Sequence, residues 1–233
     1  MGGRSSKGLR NSRNLISPPS DTALSYEEAA EWLMDNLGYT QEEVRDLLNA
    51  TEAWSNYNYR EIHKELSDNY AYPKESVDKD IKSLDKYLND PRLAKTEGSL
   101  YRGLTVKTSE VDKIDSMLKS GKWKEPGITG FSSSKQQANL YAMADSLSSE
   151  IHITLLNNSH ASQIGHLSVG GGEQESLYPS SIKSGIPIVS YTKTPVYAEK
   201  LDRAHFRATG ERKYKKVVLH YVYDITLDDR RKH

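Results

Sequence analysis

Gly170-Gly-Gly-Glu173-Gln174-Glu175-Ser176-Leu177-Tyr178-Pro179 is the stretch on which the reading of this chain turns. Three glycines give a backbone that bends freely and lets other atoms come close. Two carboxylates follow at i and i+2, then an apolar residue and a proline. In an extended strand successive side chains alternate, so Glu173 and Glu175 face the same way. Two acids on one face suit chemistry at a sugar C1′: one stabilises an oxocarbenium-like centre while the other orients a nucleophile. An isolated Glu-x-Glu is also what a solvated hairpin edge looks like, so the rest of the chain has to decide.

The 233 residues suit one large domain, or one domain with a helical extension. Lys plus Arg balance Asp plus Glu at 32 each, so no overall field points to nucleic acid or an acidic membrane. Cysteine is absent, which removes disulfides, thiolate nucleophiles and thiolate metal sites together. No apolar run approaches the roughly 18 residues of a membrane span, and the N-terminus has no apolar signal region. The seven histidines show no metal-ligand spacing, so no metal is expected. P-loop, dinucleotide-fingerprint, zincin and Gly-x-Ser-x-Gly motifs are all missing.

Residues 1–20 are basic, with Arg4, Lys7, Arg10 and Arg13 and no acid, and are expected to form a disordered arm. Residues 21–97 read as helical. Ser25–Glu28 and Thr40–Glu43 have capping-box spacing, and Gly38 ends the first helix. The second helix is expected to be short, carrying Val44, Leu47 and Leu48. A third is expected over about Ser55–Ser67 and a fourth over about Val77–Leu88. From Gly98 the pattern turns to strands, and residues 98–233 are expected to be a β-rich catalytic core, with 21–233 as one folding unit. Lys200–Tyr214, polar and rich in Lys and Arg, reads as a mobile loop. Helices first and then many short strands is an α+β order.

Three elements stand in sequence: Leu100-Tyr101-Arg102-Gly103-Leu104, then Gly130-Phe131-Ser132-Ser133-Ser134, then the Glu-x-Glu stretch. An arginine fork binds phosphate oxygens bidentately. Serine hydroxyls on a neighbouring strand can brace a carboxylate.

In that order the three resemble the Arg–Ser-Thr-Ser–Glu-x-Glu class of ADP-ribosyltransferases, the group of the clostridial binary-toxin enzymes and bacteriophage transferases. The likeness runs from about Ser55 to Ile225 and takes in a tyrosine-bearing helix with Tyr57 and Tyr59. It implies a split β-sandwich core behind an N-terminal helical region, and NAD as substrate. It implies that Arg102, beside a gap at Gly103, grips the NAD phosphates, with Phe131, Ser132 and Tyr57 also at the NAD site. Ser133 would hold the catalytic glutamate. Glu175 would stabilise the cation left as nicotinamide departs, and Glu173 would deprotonate the acceptor, an arginine of a host protein; an RNA acceptor stays open. The middle motif lacks its threonine, so Ser132 competes with Ser133 for the first serine's place. No arginine occurs between Arg102 and Arg203, so a second phosphate-binding arginine of some relatives is missing. The resemblance implies a location in the cytoplasm of a host cell, or in a phage virion. NAD hydrolysis and a non-catalytic phage component that keeps the fold are the competing readings.

Overall fold

The computed structural model describes residues 15–19, 23–56, 74–124, 127–143, 148–167, 175–180, 182 and 184–230. The helical part comprises α1 (Tyr26–Leu37), α2 (Gln41–Asn56) and α3 (Lys74–Leu88). Both capping boxes form. Ser25 Oγ accepts from Glu28 N, and the Glu28 carboxylate accepts from Ser25 N. Thr40 and Glu43 repeat the exchange. Each such cap stabilises its helix by about 1 kcal/mol. Gly38 closes α1 at φ 62, a left-handed conformation in which a side chain would be strained. The second helix is longer than expected: α2 runs 16 residues, through Trp54 and Ser55. The rest of the expected third helix lies outside the described residues.

The expected disordered arm is corrected at its end. Ile16 N donates to Arg92 O at 2.7 Å, Ala94 N donates to Ile16 O at 2.9 Å, and the Ile16 side chain packs on the helical core. The backbone pairing and one apolar side chain hold what the basic composition alone would leave loose.

Among the described residues eight strands follow: β1 (Leu100–Lys107), β2 (Lys122–Trp123), β3 (Thr129–Ser132), β4 (Ser148–Leu156), β5 (Ser162–Gln163), β6 (Glu175–Tyr178), β7 (Ile186–Leu201) and β8 (Tyr214–Asp228). Three helices lie among them: α4 (Val111–Ser120), α5 (Lys135–Tyr141) and α6 (Arg203–Thr209). The strand order is β2-β7-β8-β4-β1-β3-β6-β5, with β4 and β8 parallel and the other neighbours antiparallel. β1 pairs with β4 along its whole length, but with β3 only through Tyr101 opposite Ser132. That single contact is where the sheet splits into a five-strand and a three-strand part. The expected mobile loop over Lys200–Tyr214 is overturned: β7 continues to Leu201, α6 caps the turn and β8 begins at Tyr214. Asp202 accepts from Ala204 N and His205 N, which gives α6 its start.

Two apolar cores result. One gathers Leu33, Leu37, Leu47, Leu84 and Leu88 from the helices together with Ile128 and Leu177 from the three-strand part. The other gathers Leu100, Ile114, Ile151, Ile153 and Ile225 between the strands and α4. Each fully buried leucine contributes about 1.5–3 kcal/mol. Because Leu177 and Tyr178 are consecutive on β6 and enter different cores, β6 is gripped from both sides.

Candidate active site

The register of β3 against β6 sets the site. Ser132 lies opposite Glu175, Phe131 opposite Ser176, and Gly130 opposite Leu177. Antiparallel partners share a face, so Glu175 points the way Leu177 does, toward the helical part. There it meets the end of α2: Trp54 Nε1 donates to Glu175 Oε2 at 3.1 Å, from an indole only 4% exposed. Gly130 lies beneath. A Cβ at Gly130 would stand 2.5 Å from Glu175 Oε1 and 3.2 Å from the Trp54 ring, so only a glycine leaves the carboxylate its place.

Arg102 reaches the same residue from β1. Its Nη1 donates to Gly130 O at 2.8 Å across the split between β1 and β3. The cation of the first motif and the carboxylate of the third are thereby set around one glycine of the second. A guanidinium carries five N–H donors in a planar fork, and this bond anchors one of them at Gly130. β6 is fixed on its other face as well, with the Ser176 and Thr96 hydroxyls 2.8 Å apart.

The serine run makes a strand-to-helix turn. Ser132 Oγ accepts from Ser134 N, and Ser134 Oγ accepts from Gln137 N as the cap of α5. Ser132 is the cross-strand neighbour of Glu175, and Ser133 lies one residue past the end of β3. Phe131, expected at the cofactor site, is 2% exposed in the strand core, with its ring 6.4 Å from that of Tyr178. The alternation of a strand that puts Ser132 beside Glu175 turns Phe131 the other way. The gap expected at Gly103 is also taken: a Cβ there would lie 1.9 Å from the Ala138 carbonyl oxygen, because α5 lies directly on β1. Gly103 is a packing glycine on that side. Tyr57, Glu173 and the three glycines at 170–172 lie outside the described residues.

No family model matches the sequence, and no curated protein matches it. Solved structures do. HopU1 of Pseudomonas syringae pv. Tomato DC3000, an ADP-ribosyltransferase, aligns at TM-score 0.50 and 14% identity, over 88% of this chain and 88% of its own. The fold is that of an ADP-ribosyltransferase. Vis, an ADP-ribosyltransferase from Vibrio splendidus, aligns at TM-score 0.48 and 16% identity over 87% of this chain and 82% of its own. An ADP-ribosyltransferase from Clostridium botulinum aligns at TM-score 0.44 and 13% identity, over 87% of this chain and 95% of its own.

Within this ADP-ribosyltransferase fold, two of the residues around Glu175 carry no expected site role: Trp54, which lies outside the three motifs, and Gly130, which opens the second. Trp54 continues the apolar stripe of Leu47 and so reads as core, which it also is; its N–H was the clue to a second duty, since a buried indole needs an acceptor. Gly130 is a strand glycine, the usual mark of a close approach. A third residue, His166, anchors the turn just before the Glu-x-Glu stretch. It is 1% exposed, against the edge of Trp32 at 5.1 Å, and its Nε2 lies 3.2 Å from Tyr87 Oη. Tyr87 Oη donates to Gln163 O, so His166 Nε2–H donates to Tyr87, and Nδ1 is left without a partner among the described residues. Burial holds the His166 pKa down at about 4. The backbone on either side is tied too: Leu24 N donates to His166 O at 3.1 Å and Ile164 N to Glu175 O at 3.1 Å. Among the described residues no group of three or more His, Asp or Glu is placed to hold a metal, and no helix is long and apolar enough to cross a membrane.

Proposed function

We propose that this chain is an NAD-dependent mono-ADP-ribosyltransferase whose acceptor is an arginine side chain of a protein. The observation that carries the reading is the convergence on Gly130: Arg102 bonds its carbonyl while the Glu175 carboxylate, held by Trp54, occupies the space a side chain would fill. A fixed guanidinium fork matches a pyrophosphate. A carboxylate oriented by a buried N–H matches a centre that becomes positive during reaction. The donor set therefore fits NAD, which would supply a ribose C1′ bearing a positively charged leaving group.

Arg102 holds the phosphates in this reading. Glu175 stabilises the positive charge that grows at C1′ as the bond to nicotinamide breaks and its electron pair leaves with the ring. Glu173 accepts the proton released when an acceptor nitrogen bonds to C1′. Positive charge develops whether the acceptor is arginine or water, so Glu175 serves both outcomes. Orienting a guanidine is needed only for transfer.

The test is incubation of the protein with adenylate-labelled NAD and a cell lysate, followed by parallel assays of transfer to an arginine analogue and of NAD hydrolysis. Label on macromolecules is expected from the wild type. Glu175→Gln keeps the shape and removes the charge, and should lower both activities by about 10² to 10³. Glu173→Gln should lose transfer by a similar factor while keeping much of the hydrolysis. Free ADP-ribose without labelled acceptor would make the protein a hydrolase, and no consumption of NAD would make it non-catalytic.

A further inference from the structure

β8 joins β4 only from Val222 onward, so β8 from Tyr214 to Tyr221 pairs with β7 alone. From Tyr214 to Leu219 this is a two-stranded ribbon tipped by α6, while Tyr221, whose N–H donates to Ser149 Oγ on β4, already lies against the sheet. A lone two-stranded ribbon is marginal in water, yet this one also exposes apolar side chains. Tyr197 opposite Val218 and Leu201 opposite Tyr214 share one face, where Tyr197 is 48% exposed, Tyr214 56% and Val218 41%. Phe206 on α6 is 42% exposed.

Charge is concentrated in the same place. From Glu199 to Lys216 there are seven Lys or Arg and three Asp or Glu, a net of +4 in a chain whose total is +0. On the face of these rings Lys216 stands cross-strand from Glu199, while Lys200 and Lys215 are cross-strand on the opposite face, where Lys215 is already answered by the Asp202 carboxylate. Lys216 Nζ already rests 4.4 Å over the Tyr197 ring. Exposed rings interleaved with cations form the chemistry that binds single-stranded nucleic acid, where bases stack on the rings and phosphates meet the cations.

We propose that this ribbon, built on strands that supply none of the residues around Gly130, is a docking surface for single-stranded nucleic acid. The test is fluorescence anisotropy of the full chain with labelled 20-mers of oligouridylate and oligothymidylate. If four phosphates are neutralised, the log–log salt slope is about −2.8, and affinity falls about fifty-fold between 50 and 200 mM salt. Lys213→Gln with Lys216→Gln, the cations beside Tyr214 and over Tyr197, should bring the slope to about −1.4. Tyr197→Ala with Tyr214→Ala should weaken binding about ten-fold or more at unchanged slope. Thermal melts matching the wild type establish that the variants are folded, which exposed positions favour. Absence of binding at 50 mM salt would overturn the proposal. So would binding that persists in both double variants and disappears when residues 1–14 are removed, or equal affinity for duplex. Polyglutamate binding as tightly through the same four residues would assign the surface to an acidic protein instead. A concentration-dependent dimer in sedimentation, lost in the tyrosine variant, would assign it to a second copy.

Discussion

Gly130→Ala and Gly103→Ala should fail in opposite ways. At Gly130 the added methyl would lie 2.5 Å from Glu175 Oε1, against an ordinary contact of about 3.4 Å or more. The nearest atom is the far end of a flexible side chain, so the carboxylate can step aside by about 1 Å, away from its Trp54 partner, while the backbone stays. A displacement of that size at the reacting group costs about 10² in rate. The backbone of Gly130 is not left-handed, so alanine is tolerated there and the fold should survive. At Gly103 the methyl would lie 1.9 Å from Ala138 O and 2.9 Å from Ala138 C, both backbone atoms of α5. Nothing there can rotate away, so α5 must lift off β1. The expected results are a Gly130→Ala protein melting within a few degrees of wild type with NAD hydrolysis down about 10², and a Gly103→Ala protein with a clearly lowered melting temperature. Circular-dichroism melts and time courses of NAD consumption measure both. A Gly130→Ala enzyme with the wild-type rate would mean that the carboxylate position seen over Gly130 is not the working one. A fold that tolerates Gly103→Ala better than Gly130→Ala would overturn the packing argument.

Trp54→Phe keeps an aromatic ring in the core but removes the N–H bound to Glu175 and part of the indole's volume, so kcat for NAD consumption should fall about ten-fold or more with a measurable loss of stability; an unchanged kcat would refute the orienting role. His166 takes up a proton in the unfolded chain near pH 6.5 but in the fold only near 4, so its contribution is intact above about pH 6.5 and is lost as pH falls toward 4. Between pH 7.5 and 5 the stability difference between wild type and His166→Gln, read from urea unfolding, should therefore shrink by about 2 kcal/mol, and a pH-independent difference would refute the assignment. Removing residues 1–14 should leave the melting temperature unchanged, whereas removing 1–19 takes away Ile16 and its pairing with Arg92 and Ala94 and should lower it by several degrees; equal melts would show that the Ile16 pairing contributes nothing.

What was legible in the sequence was local. The two capping boxes involve residues three apart, and both form. The order of helices before strands gave the α+β class, and Arg102 and Glu175 stood out because their residue types lay in strand-like settings. What was not legible depended on partners far along the chain. Trp54 is 121 residues from Glu175, and nothing in the apolar stripe of α2 says which carboxylate its indole meets. Gly103 and Gly130 look alike on a page: each is a glycine in a strand, and whether a helix backbone or a carboxylate fills the space depends on how α5 and β6 dock. Lys200–Tyr214 reads as a loop because it is polar with few apolar residues, and the end of a hairpin with no buried face has no reason to alternate apolar with polar residues. The equality of positive and negative charges hid its basic character, since a sum over the chain says nothing about where the charges sit.

On the function proposed above, the placement of Glu175 gives the helical part a role in the chemistry. Its carboxylate is held by an indole on α2, while the strand that carries it places Leu177 in the helical core and Tyr178 in the strand core. Arg102 belongs wholly to the other part, on β1, and reaches Gly130 across the one register pair that joins the two halves of the sheet. The angle and distance between cation and carboxylate are therefore set by how the helical core seats against β3 and β6, and neither half of the molecule defines them alone. A site assembled at such a seam can be tuned by packing changes remote from any substrate, because a shift of α2 moves Trp54 and with it the orientation of Glu175.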